Sequence, residues 1–155
     1  MYPKVSQRHL LRAAGHLVTA EVLRRGGIAA LDVAGKQVRV AATNAQETRR
    51  ITLRVKYRTS GDWQTSTSEG APRTEPAVVD EYWVLVDFSD DQPTYYVLPA
   101  WWIANDIHVR HQKYLDDHGG HRRDNDDSTH HRIETHRVIR WEQAWDQLGI
   151  FPAAK

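Results

Sequence analysis

The side chains best suited to chemistry lie in one stretch of alternating residues, Arg50 to Trp63. Polar residues in it alternate with four apolar ones: Ile51, Leu53, Val55 and Tyr57. This pattern predicts a strand with one buried face, and Arg54 and Lys56, two residues apart, point to the same side of it. Two such cations attract phosphate, to which an arginine can donate two parallel hydrogen bonds. We therefore expect the chemistry of the chain to assemble around Lys56.

Composition excludes several kinds of site. The 155 residues are 40% apolar and include six tryptophans, which predicts one folded domain over residues 1–155. Cysteine is absent, so disulfides, thiolate nucleophiles and cysteine-ligated metals are excluded. No apolar run approaches the roughly 18 residues of a membrane span, and a signal peptide's apolar core is lacking, so we expect a cytoplasmic protein without membrane contact. The net charge is only +1, so a polyanion would have to meet a local basic patch.

The first half of the chain predicts one helix and three strands. Ser6 to Arg25 has apolar residues at helical spacing, with Ser6 as the N-cap and two glycines at the end. Glu21 lies on or beside the apolar stripe, where a glutamate can also pack its stem and keep its head in water. The strands are predicted at Gly27–Val33, Gln37–Thr43 and Arg50–Arg58.

The second half predicts a long mobile loop over Ser60–Ala77 and a central strand over Tyr82–Phe88, covered on both faces. Further elements are predicted in this order: a strand at Thr94–Leu98, a helix from Ala100 to about Leu115, an exposed loop at Asp116–His130, an edge strand at His131–Val138 and a short helix at Trp141–Leu148. This order, helix, five strands, helix and tail, predicts an α/β fold with a mixed sheet flanked by helices.

Six segments carry a resemblance to a known family: GHLVTAEVLRRGG (15–27), VRVAATN (38–44), RITLRVKYRTSGDW (50–63), DEYWVLVDF (80–88), YYVLPAWW (95–102) and WDQLG (145–149). With these segments the chain resembles the PD-(D/E)XK nuclease-like proteins, in particular small bacterial members of that superfamily. The resemblance covers most of the chain. It implies a restriction-endonuclease-like fold.

The resemblance also implies a set of active-site residues. Glu21 matches the glutamate that the family's first helix supplies, and Lys56 matches the lysine of its third strand. In such a site carboxylates hold Mg²⁺, which polarises the scissile phosphate and lowers the pKa of an attacking water, while the lysine steadies the developing charge. Mg²⁺ is thus the implied cofactor if the protein cleaves. Glu21 and Lys56 would then have to converge on one pocket.

Two positions depart from the family pattern. Arg39 stands where the family has a metal-binding aspartate, and Arg54 stands where it has an acidic or amide residue. Two unit charges ~4 Å apart repel by about 4 kcal/mol at an effective dielectric of about 20, so an ordinary Mg²⁺ site should not form beside these cations. We therefore expect a nuclease fold that binds nucleic acid, with cleavage weakened or lost.

A carboxylate from elsewhere could still complete a metal site. Asp32 on the first strand and Glu47 before the third are the candidates, and a shifted alignment would make Asp32 the family's aspartate. Asp32 can equally be a turn residue. The metal ligands, if any, would then be Glu21 with Asp32, and Arg54 would still stand at an acidic position.

Seven of the nine histidines lie from His108 onward and form a second candidate site. His118 and His121, with Asn125, are superficially similar to a His-Asn-His nuclease loop or a zinc site, but their spacing fits neither pattern. A solvated polar loop is the better interpretation. His108 and His111 share one face of the second helix, where a pair of surface histidines is the simpler explanation.

Four residues are candidate nucleic-acid contacts: Arg39, Arg54, Arg58 and Trp63. Trp63 in the predicted loop could stack on a base, an interaction of about 1–3 kcal/mol in single-strand binders. Other tryptophans are predicted to form core or a subunit interface, which leaves a homodimer open: Trp101, Trp102, Trp141 and Trp145.

Three functions follow from the sequence. The first is a protein of nuclease fold that binds nucleic acid, DNA in the first instance, with little or no cleavage. The second is an active Mg²⁺-dependent endonuclease that uses Glu21, Lys56 and a relocated carboxylate. The third is a protein-interaction module, a subunit or an inhibitor, on the same scaffold. A salt titration separates the first two from the third, because phosphate binding releases counterions.

Overall fold

The computed structural model describes residues 4–120 and 129–153. Its helices and strands follow one another in this order: α1 (Gln7–Arg24), β1 (Ile28–Ala34), β2 (Gln37–Thr43), β3 (Arg50–Arg58), β4 (Trp63–Ser66), β5 (Glu81–Asp87), β6 (Thr94–Pro99), α2 (Ala100–Asp117), β7 (His130–Ile133) and α3 (Thr135–Val138). Short 3-10 helices lie at Thr67–Glu69, Ile139–Trp141 and Trp145–Leu148. Within the described ranges, no helix is long and apolar enough to cross a membrane.

The first helix begins and ends where its sequence predicts. The Ser6 side chain accepts a hydrogen bond from the backbone N–H of His9, and so caps one of the free donors of the first turn. Beyond the last turn Gly26 has φ of 97°, a conformation that favours glycine and ends the helix. The buried side of α1 consists of small and β-branched residues: Ala14, Gly15, Val18 and Val22.

Five strands form one mixed sheet in the order β1-β2-β3-β5-β6. Neighbouring strands are antiparallel except for β3 and β5, which are parallel. β5 is buried on both faces along almost its whole length, as its continuous apolar sequence predicts. The predicted α/β class with a mixed sheet flanked by helices is confirmed.

Two buried clusters lie on opposite faces of this sheet. One packs α1 against β1, β2 and β3 and includes Val18, Leu53, Val55 and Trp145. The other packs α2 against β5 and β6 and includes Trp63, Trp83, Leu85 and Ile103. Successive side chains of a strand point to opposite faces, so Leu53 and Val55 on the α1 side place Arg54 and Lys56 on the other side.

The segment between β3 and β5 is ordered structure rather than the predicted long mobile loop. Its first part is β4, which pairs antiparallel with β7 in a separate two-stranded sheet. Its later part runs along α2, where the N–H of Ala71 donates to the carbonyl of Ala104 at 3.0 Å. Gly70 lies so close to Ile107 that an added Cβ would be 2.8 Å from its side chain. The polar sequence did not predict these contacts, because backbone groups, which every residue has, make many of them.

The C-terminal part corrects three predictions. α2 continues to Asp117, two residues beyond its predicted end and into the predicted loop. Residues 121–128 of that loop lie outside the described residues. The predicted edge strand is split into β7 and the single turn α3. Two 3-10 helices replace the predicted closing helix, because Gln143 has φ of 53° and donates its N–H to the Tyr95 carbonyl at 2.8 Å.

Candidate functional site

Polar side chains of β1, β2 and β3 lie on the face of the sheet opposite α1. We call this surface the outer face and define it by Asp32, Arg39, Thr52, Arg54 and Lys56. Asp32 is the cross-strand partner of Arg39, and Arg39 is the partner of Arg54, so the three side chains lie in one row across β1, β2 and β3. Arg39 is exposed and donates to the Gln37 side chain at 2.8 Å, without an ion pair to Asp32.

Arg54 is held by a carboxylate that comes from the segment between β3 and β5. Its two terminal nitrogens donate to the two Glu69 oxygens, each at 2.7 Å. The guanidinium also lies over the Trp83 ring, 5.0 Å from the centroid. These hydrogen bonds hold the pKa of Glu69 below its usual value. Arg54 is therefore fixed in position, and Glu69 neutralises one cation of the row.

Lys56, like Arg54, is a partly buried cation of the outer face. Its ammonium lies 5.3 Å from the centroid of Trp83, and no carboxylate in the described part of the chain forms an ion pair with it. Burial, and then the charge of Arg54, lower the pKa of Lys56 to about 8. Lys56 therefore keeps its charge at neutral pH against a desolvation penalty, and it lines a cavity of about 350 Å³.

Glu21 does not converge with Lys56, and this prediction is wrong. Glu21 pairs with Arg24 and, at 3.1 Å, with Arg25, whose guanidinium lies over Trp145 in the cluster on the α1 side. Lys56 lies over Trp83 in the cluster on the other side. Gln7 at the start of α1 lines the cavity that contains Lys56. Glu21 is fourteen residues further along α1, roughly 21 Å at about 1.5 Å per residue.

The residues that would hold Mg²⁺ are dispersed and do not fit a metal ion. The carboxylate of Glu21 is engaged by two arginines, and the pKa of Glu21 is lowered chiefly by the hydrogen bond from Arg24. Asp32 is directly opposite Arg39, and Glu47 lies in the turn before β3, at the far end of that strand from Lys56. Among the described residues, no group of three histidine or acidic side chains is placed to bind a metal.

Two candidate contacts, Arg58 and Trp63, are structural, so their predicted role as surface contacts is wrong. Trp63 is completely buried, and its indole N–H donates to the Val86 carbonyl at 3.1 Å. Arg58 lies over the Trp63 ring at 3.8 Å and pairs with Asp87 at 2.6 Å, with both side chains only 10% exposed. No ring face is left for a base, and little of the guanidinium is left for a phosphate.

Of the histidine-rich region only the part outside residues 121–128 is described, and no group of three histidine or acidic side chains there is placed to bind a metal. His118 contacts the carbonyl of Tyr114 at 2.8 Å and stacks on its ring. His121 and Asn125 lie outside the described residues. Burial, and then the charge of Arg137, lower the pKa of His131 to about 4, and the buried Arg137 itself pairs with Asp106 and Glu134. These contacts are structural.

Glu69 and Trp83 contact the cations of the outer face although no sequence pattern marks them. The polar stretch from Ser60 to Thr74 contains two acidic residues, Asp62 and Glu69. Trp83 is the largest side chain of β5. Neither Glu69 nor Trp83 has a distinctive spacing. The parallel pairing of β3 with β5, in which Arg54 is the partner of Trp83, is what brings them to the cations.

Comparisons with known proteins found no matching family model, no similar curated protein and no similar solved structure.

Proposed function

We propose that this protein binds nucleic acid, DNA in the first instance, by holding phosphates on the outer face. The observation that carries the proposal is a pair of facing cations, since Arg39 and Arg54 are directly opposite each other on neighbouring strands. Like charges at such positions repel, and Glu69 forms an ion pair with Arg54 only. Asp32, Asp80 and Glu81 lie near Arg39 without forming an ion pair with it. A phosphate beside Arg39 relieves this repulsion and accepts hydrogen bonds that no described carboxylate accepts.

Lys56 supports the same proposal. A lysine is costly where burial lowers its pKa to about 8, and an apolar residue would pack there without this penalty. A phosphate in the cavity that Lys56 lines compensates the charge and raises the pKa of Lys56 again. An anionic ligand therefore stabilises the charged form of Lys56 more than it would stabilise that of an exposed lysine.

Kinship with the PD-(D/E)XK superfamily stays part of the proposal, and it concerns scaffold and binding only. The mixed sheet between two helices is compatible with that scaffold. The separation of Glu21 from Lys56 contradicts the active-site arrangement that this kinship implies, so it does not support the kinship, and the proposed binding rests on the outer face alone.

A salt titration with a labelled DNA duplex tests the proposal. We expect log K to fall linearly with log salt, and the double variant Arg39→Gln, Lys56→Gln to reduce the slope by roughly 1–2, since each duplex phosphate contact contributes about 0.9. The matched control is Lys113→Gln, which removes an exposed cation of α2 that pairs with Asp117. Binding without salt dependence, or an equal loss in the control, would overturn the proposal and favour a protein-interaction module.

A further inference from the structure

A groove runs over one end of the sheet, where the start of α1 meets the turn between β1 and β2 and the end of β3. It consists of two adjoining cavities of about 650 and 350 Å³. Both cavities are lined by the same five residues: Gln7, Leu11, Lys36, Val38 and Tyr57. The larger cavity extends along the first turns of α1, and the smaller one reaches Lys56. The groove is therefore continuous with the outer face.

The floor of the larger cavity is apolar and ends at an aromatic ring. Leu11, Val33 and Val38 line it, and Val33 is 37% exposed. Tyr57 is partly buried, lines both cavities, and packs in a tilted arrangement with Phe88, with 6.2 Å between the ring centroids. An aromatic ring beside aliphatic side chains, of which Val33 is exposed and Leu11 is half-buried, suits a flat, largely apolar group.

The rim of the groove is cationic. Arg8 and Arg12 lie one turn apart on α1, Lys36 lies in the β1–β2 turn, and Lys56 lies at the other end. No carboxylate in residues 4–120 or 129–153 forms an ion pair with any of these four cations. None lines the larger cavity, and Asp62 lines the smaller one. Arg54, by contrast, has its own carboxylate. The occupant that matches this surface carries both apolar groups and repeated negative charges.

We propose that the groove binds single-stranded nucleic acid, with one base against Tyr57 and the flanking phosphates on Arg8, Arg12 and Lys36. The inference rests on the proposed function and specifies its substrate class. A strand that crosses the outer face at Lys56 enters the groove directly. In a duplex the bases are paired and stacked inside, so none reaches the floor, whereas a single strand presents its bases to an aromatic ring.

Fluorescence anisotropy with three labelled probes tests the inference: a short oligothymidylate, a strand of equal length without bases, and a duplex. We expect the wild type to bind oligothymidylate roughly tenfold more tightly than the abasic strand, within the range measured for one stacked base. Tyr57→Leu should remove this preference. Tyr57→Phe, which keeps the ring, should retain the preference, and thermal melting of both variants verifies folding.

The outcomes separate the two proposals. The groove assignment is overturned if oligothymidylate and the abasic strand bind with equal affinity, or if Tyr57→Leu keeps the preference for oligothymidylate. In either case, salt-dependent binding of all three probes still supports the proposed function. Competition by polyglutamate as strong as that by oligothymidylate shows that only charge is recognised, and also overturns it. Failure of every probe to bind overturns both proposals.

Discussion

Arg54 and Glu69 form two parallel hydrogen bonds of 2.7 Å, and the arginine lies over the ring of Trp83. The carboxylate belongs to a 3-10 helix, whereas the arginine belongs to the middle of a strand. A phosphate would present its oxygens to Arg54 in the same forked geometry. Glu69 is therefore an internal competitor for the anion that the outer face is proposed to bind.

Removing this competitor should strengthen binding. In Glu69→Gln the side chain keeps its size and loses its charge, so Arg54 becomes available to phosphate and the local field becomes more positive. We expect the affinity for a DNA duplex to rise roughly tenfold at low salt, with a steeper salt dependence. Because the pair is partly exposed, the free energy of unfolding should change by no more than about 1 kcal/mol. An affinity equal to that of the wild type would show that phosphate does not reach Arg54.

Lys56→Met should raise the free energy of unfolding at neutral pH. The folded state lowers the pKa of Lys56 from 10.5 to about 8, through burial and then Arg54, while Glu69 opposes this shift. The unfolded chain therefore binds more protons than the folded chain between these two values, and the stability of the wild type rises with pH across them. The gain in Lys56→Met, on the order of 1–3 kcal/mol, should be complete below pH 8 and shrink toward pH 10.5.

Urea unfolding of Lys56→Met and the wild type across that range measures this difference. Titrations of all other groups are common to both proteins and cancel. Lys113→Met, at an exposed ion pair, is the control and should show little change. A stability difference independent of pH would mean that Lys56 does not titrate in the folded protein near pH 8.

Trp63→Ala should destabilise the fold without weakening nucleic-acid binding by the folded protein. The side chain is completely buried, and removing it leaves a cavity and removes its hydrogen bond to the Val86 carbonyl, at a cost of about 3–5 kcal/mol. Chemical denaturation gives the loss, and anisotropy under fully folding conditions gives the affinity. Gln64→Ala, the exposed neighbour in β4, serves as the control. If the fully folded Trp63→Ala variant bound nucleic acid more weakly than the wild type, Trp63 would contribute to the binding surface.

Glu21→Gln should leave oligonucleotide binding and its salt slope unchanged. Glu21 pairs with Arg24 and Arg25 on the α1 side of the sheet, far from Lys56. Arg24 is largely exposed, so the loss of stability should be within about 1 kcal/mol. The same titration performed on Lys56→Gln provides the comparison. A decrease in Glu21→Gln as large as in Lys56→Gln would mean that both residues serve one site.

Local sequence determined which residues share a face and where the elements lie. The alternation around Lys56 predicted β3 with its bounds, and the apolar run of β5 predicted a strand buried on both faces, because period-two patterning follows directly from strand geometry. The serine cap and the two glycines predicted α1 to within one residue at each end. The proximity of Arg39 to Arg54 also followed once the two strands were adjacent.

Only the tertiary structure decided which side chains meet. Glu21 and Lys56 are separated because α1 covers one face of the sheet while Lys56 projects from the other, and a strand pattern shows that two faces exist without showing which helix covers each. Trp63 is buried because β4 pairs with β7, nearly seventy residues later. Glu69 reaches Arg54 for a similar reason, since its contact depends on a parallel pairing of β3 with β5 that sets the path of the segment between them.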